Sequence, residues 1–168
     1  MQRRALLSLA ALAATAPLAG CGFHLRQPPV FAFKSVYLNG PPASTFAAEL
    51  RRNLEAGTGL RVTRDVAQRA DTDVILDILQ DQRERVVLSY NSTGQVREFQ
   101  LRVRVRFALR TPDDREILPP TELLLQQDQS YDETLALAKE QEAQLIYRSL
   151  QTDVVRQILR RLAAVRQI

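Results

Sequence analysis

Positions 99 to 110 alternate without a break. Phe99, Leu101, Val103, Val105, Phe107 and Leu109 are apolar, while Gln100, Arg102, Arg104, Arg106 and Arg110 are polar, with Ala108 between them. Period two predicts a strand with one apolar face and one basic face. Asp73 to Tyr90 reads as the other arm of a long hairpin with Gln95 to Arg110, joined at Asn91-Ser92-Thr93-Gly94, where Gly94 suits a positive φ. With Tyr90 opposite Gln95, Leu76 faces Leu109, Ile78 faces Phe107 and Asp81 faces Arg104. The same register puts Gln80, Gln82 and Glu84 on the apolar face. The pattern therefore demands either a bulge that shifts parity or an outer hairpin that runs past the core.

The remaining elements follow from weaker patterns. Phe33 to Leu38 predicts a first strand, stopped by Asn39-Gly40-Pro41-Pro42. Ser44 or Thr45 can cap a helix to about Ala56, with Phe46, Leu50 and Leu54 at i, i+4, i+8 and Gly57 and Gly59 as the stop. Leu60 to Thr63 suits a short strand, and Asp65 to Ala70 a loose helical turn. Thr111 to Arg115 is a second turn. Ile117-Leu118 and Thr121 to Tyr131 make a last strand, which Pro119-Pro120 restricts to an edge or a bulge. Asp132 to Ala164 is helical, with the stripe Leu135, Ala138, Ile146, Leu150, Val154, Ile158, Leu162, Val165.

The N-terminus has a different pattern. Arg3-Arg4 precedes an apolar run from Ala5 to Ala19, too short for a spanning helix of about 20 residues and right for a secretory signal. It ends in Leu18-Ala19-Gly20-Cys21, the bacterial lipobox. Small residues let a peptidase grip extended backbone there. The Cys21 sulfur takes a diacylglyceryl group, and its new amine can take a third, palmitoyl chain. Two or three acyl chains give a stable anchor. Gly22, where Asp would favour inner-membrane retention, favours the outer membrane of a Gram-negative cell. The expected organisation is a signal peptide at 1–20, a lipid-anchored tether at 21–30 with Pro28-Pro29, and one domain at 31–168.

That cut reinterprets the charge. The whole chain carries +4 with a pI near 9.7, which suggests nucleic acid. Removing residues 1–20 leaves 148 residues, and without Arg3 and Arg4 there are 21 basic residues against 19 acidic ones. An exported chain with that balance and 6% aromatics is not expected to bind nucleic acid.

Candidate chemistry is sparse. The only Cys is Cys21 and the only His is His24, three residues from the anchor. No disulfide, no metal site and no catalytic residues are expected, nor any cofactor beyond the lipid on Cys21. Asp71-Thr72-Asp73 and Asp113-Asp114 read as turn carboxylates. Arg102, Arg104, Arg106 and Arg110 form the one patch that asks for a partner. It reads either as a solvated face paired with Asp77 or Asp81, or as a surface for anions, since the guanidinium fork matches phosphate. The abundant phosphorylated ligand at an outer membrane is lipopolysaccharide.

Gly20-Cys21-Gly22-Phe23-His24-Leu25-Arg26 resembles the start of the LPS-assembly lipoprotein LptE family. Asn91 to Gln100, Leu135 to Glu142 and Asp153 to Leu162 are similar to it as well, so the resemblance covers essentially the whole chain. It implies an α+β, two-layer sandwich: two helices packed on a mostly antiparallel sheet of about four strands with a long central hairpin. It implies no enzyme. It implies a plug within the LptD β-barrel that supports LptD folding and binds lipopolysaccharide, anchored in the outer membrane and facing the periplasm. Lys139 and Arg97 are then candidate phosphate contacts, with Arg102, Arg104 and Arg106 beside them.

Two other readings compete. One is an outer-membrane lipoprotein that acts as a binding or scaffold module for a different envelope complex. The other is an enzyme on envelope lipid or glycan, which the lack of histidine in the domain disfavours.

Overall fold

The computed structural model describes residues 29–56 and 59–168. The signal peptide, Cys21, nearly all of the tether and the Phe23-His24-Leu25-Arg26 motif lie outside the described residues, as does Gly57.

Five strands form one sheet: β1 (Ser35–Asn39), β2 (Arg61–Thr63), β3 (Val74–Tyr90), β4 (Val96–Arg110) and β5 (Glu116–Ser130). Their order is β2-β1-β3-β4-β5. β1 pairs in parallel with β2 and β3, and the long part, β3 to β5, is antiparallel. The sheet thus has one strand more than the roughly four that the resemblance implies; the fifth, β2, is the short strand expected at Leu60 to Thr63. The helices are α1 (Thr45–Glu55) and α2 (Ala136–Ala163), with 3-10 turns at Val66–Asp71 and Glu133–Leu135.

Parallel pairing of β1 with β2 needs a crossover, and α1 supplies it. Ser44 caps α1, its Oγ accepting from the Ala47 amide at 2.9 Å. Phe46, Leu50 and Leu54 are fully buried, as their spacing requires. Before the cap, Gly40 is needed for close approach, since a Cβ there would sit 3.0 Å from Ile78 Cβ. The Arg64 guanidinium donates to the Gly40 and Pro41 carbonyls, 3.1 Å each, and holds this turn.

The hairpin register resolves the conflict in the pattern. Leu76 faces Leu109 and Ile78 faces Phe107, as expected. A bulge then intervenes: Gln80 faces Arg106, Asp81 faces Val105 and Tyr90 faces Val96. The expected pairings of Asp81 with Arg104 and Tyr90 with Gln95 are therefore wrong by one position. Leu79 is the extra residue and is 51% exposed. The shift puts Gln80, Gln82 and Glu84 on the arginine face and turns Asp81, Arg83 and Arg85 toward the helices. The β3–β4 pairing shifts again near Ser89, and another irregularity lies at Pro119-Pro120, where the pairing moves from Phe107–Thr121 to Leu109–Leu118 on the edge strand.

α2 is 28 residues, about 42 Å long. Ile146, Leu150, Val154, Ile158 and Leu162 are buried against the sheet, joined by Ala143, Tyr147 and Val155. Leu135, 54% exposed, and Ala138, also exposed, are not on the buried stripe as expected. The helix starts at the hairpin tip, beyond the apolar layer that would cover them.

Candidate functional site

The helix layer meets β3 through polar groups that the bulge turned inward. Arg85 donates to Glu140 at 2.7 Å and its guanidinium lies 5.2 Å from the Phe99 ring centre. The Glu140 bond holds the Arg85 guanidinium above its usual range. Tyr147 donates to the Glu84 carbonyl at 2.8 Å, and Arg83 donates to Gln151 Oε1 at 2.6 Å. Successive contacts along β3 run from Arg85 at Glu140 to Arg83 at Gln151, so α2 descends from the hairpin tip toward the start of β3.

Its upper end is fixed by β5. Gln129, 3% exposed, donates from Nε2 to the Lys139 carbonyl at 2.8 Å. The Lys139 ammonium contacts Ser130 Oγ at 3.2 Å and Glu142 at 2.9 Å. Below the chain entry to α2, Asp132 accepts from the Thr134 amide at 2.9 Å and its hydroxyl at 2.7 Å. The hairpin tip is latched to the same segment, Gln95 Nε2 donating to Glu133 at 2.9 Å. The tip itself closes on Asn91 Oδ1, which accepts from the Thr93 and Gln95 amides, with Gly94 at φ +84°.

Between tip and helix start lies an open cleft of about 730 Å³. Arg97 and Lys139 both line it, with Ser130, Tyr131, Asp132 and Leu135. Asp132 reports both cations: its carboxyl is held below the usual range first by the Thr134 hydroxyl and amide, then by the charges of Arg97 and Lys139. Arg97 is exposed, and its side chain has no hydrogen-bond or ion-pair partner among the described residues. The Tyr131 ring packs edge-on to Phe99, 5.0 Å between centres, and forms an apolar wall beneath it. The cleft joins two cations to two carboxylates, Asp132 and Glu133, with hydroxyls and apolar walls, so an anionic group of an amphiphile would bind there by competing with those carboxylates for Arg97 and Lys139.

Arg102, Arg104 and Arg106 are not in that cleft. Odd-numbered β4 residues face the helices, so these three face the opposite side. Arg104 forks between Glu84 at 3.1 Å and Glu122 at 2.6 Å, and the Glu84 bond holds it above its usual range. Arg102 donates to Gln100 Oε1 at 2.7 Å, and Gln100 in turn donates to Asp128 at 2.8 Å. Arg110 pairs with Asp77 at 2.7 Å and with Asp114. Asp81, the other carboxylate expected for this stripe, instead accepts from Ser44. Arg106 is exposed without a partner among the described residues. The stripe is thus a polar face on which Arg104 and Arg110 are compensated by carboxylates, while Arg102 bonds a neutral amide and Arg106 stands unpaired among the described residues. Among the described residues no carboxylates cluster as a metal site, and no helix is long and apolar enough to cross a membrane.

Sequence reasoning pointed to Arg97 and Lys139 but missed Asp132 and Gln129. Asp132 followed by Thr134 carries a capping signal that could have marked it. Gln129 carried none.

A family described as LptE, lipopolysaccharide-assembly, matches residues 33–162. No curated protein matches the chain. The solution structure of lipoprotein B from Nitrosomonas europaea is 32% identical, with a TM-score of 0.72, over 85% of this chain and 91% of that one. Rare lipoprotein B from Shewanella oneidensis shares the fold at 24% identity and TM-score 0.65, over 77% of this chain and 94% of that one. A minor lipoprotein from Acinetobacter baumannii does so at 23% and 0.63, over 79% and 92%.

Proposed function

The chain belongs to the LptE lipopolysaccharide-assembly family, and from that premise we propose that it plugs the LptD β-barrel and binds lipopolysaccharide at the hairpin-tip cleft. It acts by binding and transfer and not as an enzyme. Cys21 carries the diacylglyceryl and palmitoyl chains that anchor the domain to the outer membrane, facing the periplasm and reaching into the barrel. Residues 22–30 are the tether.

The observation that carries this reading is the convergence of Arg97 and Lys139 on one cleft from separate elements. A phosphate there meets a planar guanidinium fork and a compact ammonium. Exposed Leu135 lines it and offers a contact for the apolar part of an amphiphile. The open sheet face, with Arg102, Arg104 and Arg106, suits a barrel lumen, which is itself polar.

Affinity purification from detergent extracts tests the partner. LptD is expected to copurify, and LptD maturation to fail when the lipoprotein is depleted. A lipoprotein recovered free of the barrel, with LptD maturing normally after depletion, would contradict the reading.

A further inference from the structure

Both helices end at the same end of the domain. Thr45 and Glu49 of α1 meet Gln151 and Thr152 of α2, so the helices touch. α1 crosses back between parallel β1 and β2, and α2 runs back along β3 from Arg85 to Arg83, so their axes share one direction. That direction leads to the start of β1, where Arg61 pairs with Ser35 and the Lys34 amide binds Asp73. This is also where the chain enters from residues 21–28. Residues 154–168 hold Arg156, Arg160, Arg161 and Arg166 and no acidic residue. All four are exposed, and among the described residues only Arg156 is paired, with Asp153. Arg52, in the last turn of α1 at the same end of the helix layer, is exposed with no ion-pair partner among the described residues. Arginine in a last helical turn complements the helix dipole, but Arg166 lies past the helix, and one dipole does not call for three cations. Asp71, Asp73, Asp113 and Asp114 are at this end too, in the sheet layer, and Glu55 at the end of α1 is paired with Arg51, so the unpaired positive charge lies in the helix layer.

We propose that this end, through Arg52, Arg160, Arg161 and Arg166, docks on an anionic phospholipid surface. The inference rests on Cys21 being the lipid attachment point. About 12 residues separate Cys21 from Phe33, a reach of at most about 40 Å. The acyl chains therefore keep this end within reach of headgroups, but a tether about as long as α2 does not fix which end meets them; the arginines do. Attraction acts within the Debye length of about 8 Å, so before the domain enters the barrel the tether's reach becomes a defined stance, with the helix ends down on the leaflet.

The test uses the chain purified from membranes, whose intact mass reports acylation. The acylated chain is placed in nanodiscs of neutral phosphatidylcholine, or of an equal mixture with phosphatidylglycerol, and amide exchange is followed. Anionic discs are expected to slow exchange in residues 154–168. High salt or Arg160→Glu with Arg161→Glu should abolish the effect, and Arg148→Glu, higher on α2, should not. Equal exchange in both discs overturns the proposal. If the mass shows no acyl chains, the anchoring premise fails separately, and the same chain is floated with vesicles of both compositions. Selective flotation with anionic vesicles, about fivefold weaker for each arginine removed, still supports the surface, and equal flotation overturns it.

Discussion

The Ser44 hydroxyl donates a 2.6 Å hydrogen bond to the Asp81 carboxylate, from the cap of α1 into β3. The same oxygen accepts from the Ala47 amide, so one side chain closes the helix and ties it to the sheet. Asp81 can reach it only because the bulge at Leu79 turned it to the helix side. Ser44→Ala should cost about 1–2 kcal/mol and Asp81→Ala about 1 kcal/mol. The double variant should cost less than the sum in urea titration, because both remove the same bond. Strict additivity would mean that the two act independently.

The bulge gives a less intuitive expectation. Deleting Leu79 removes the unpaired residue while every later pair, from Gln80–Arg106 onward, keeps its partner. The chain should fold with a change of about 1–2 kcal/mol. Deleting Arg83 instead reverses the facing of the strand between the deletion and a neighbouring irregularity, and should prevent folding. Thermal melts followed by circular dichroism separate the two. Similar loss in both would show that the bulge's bend, and not only its parity, is required.

Asp77 is 6% exposed and pairs with Arg110, whose side chain is itself mostly covered. Arg110→Met strands that carboxylate, with only Asn39 Nδ2 at 2.6 Å left to it. A loss of about 2–3 kcal/mol is expected, below the range for fully buried pairs. Asp77→Leu together with Arg110→Met should recover most of it. No recovery would place the loss in Arg110's packing.

Asp73 Oδ2 accepts from the Lys34 and Ser35 amides, at 2.7 and 3.0 Å, and caps the start of β1. The Lys34 amide is the main cause that holds its carboxyl below the usual range. A lowered folded pKa means that its stabilisation is complete above the ordinary aspartate value and is lost as pH falls through the folded one. Asp73→Asn should therefore flatten the acid side of the stability curve and leave the neutral-to-basic slope unchanged. An unchanged acid limb would remove Asp73 as its source.

How much of this was legible depends on the range of the forces involved. Period two exposed β4, and Phe46, Leu50 and Leu54 exposed α1, because each packs one face on a single layer. The pattern around Gln80 signalled a fault in β3, but its place depended on Ser44, Gln151 and Glu140, which are distant in sequence. β2 is three residues whose order comes from pairing with β1, so its own pattern is weak. Leu135 and Ala138 fit the helical period yet find no sheet beneath them. Arg97 and Lys139 were visible as charges. Their meeting was not, since it depends on the hairpin and α2 ending at the same height.

That meeting is the centre of the account, and direct lipopolysaccharide binding tests it. Arg97→Glu and Lys139→Glu should each weaken binding of purified lipopolysaccharide by about tenfold or more, more so together, with little change in melting temperature. Arg104→Gln, on the opposite face, should bind as the parent does. Full binding by the Arg97→Glu, Lys139→Glu double variant would contradict the assignment of the cleft.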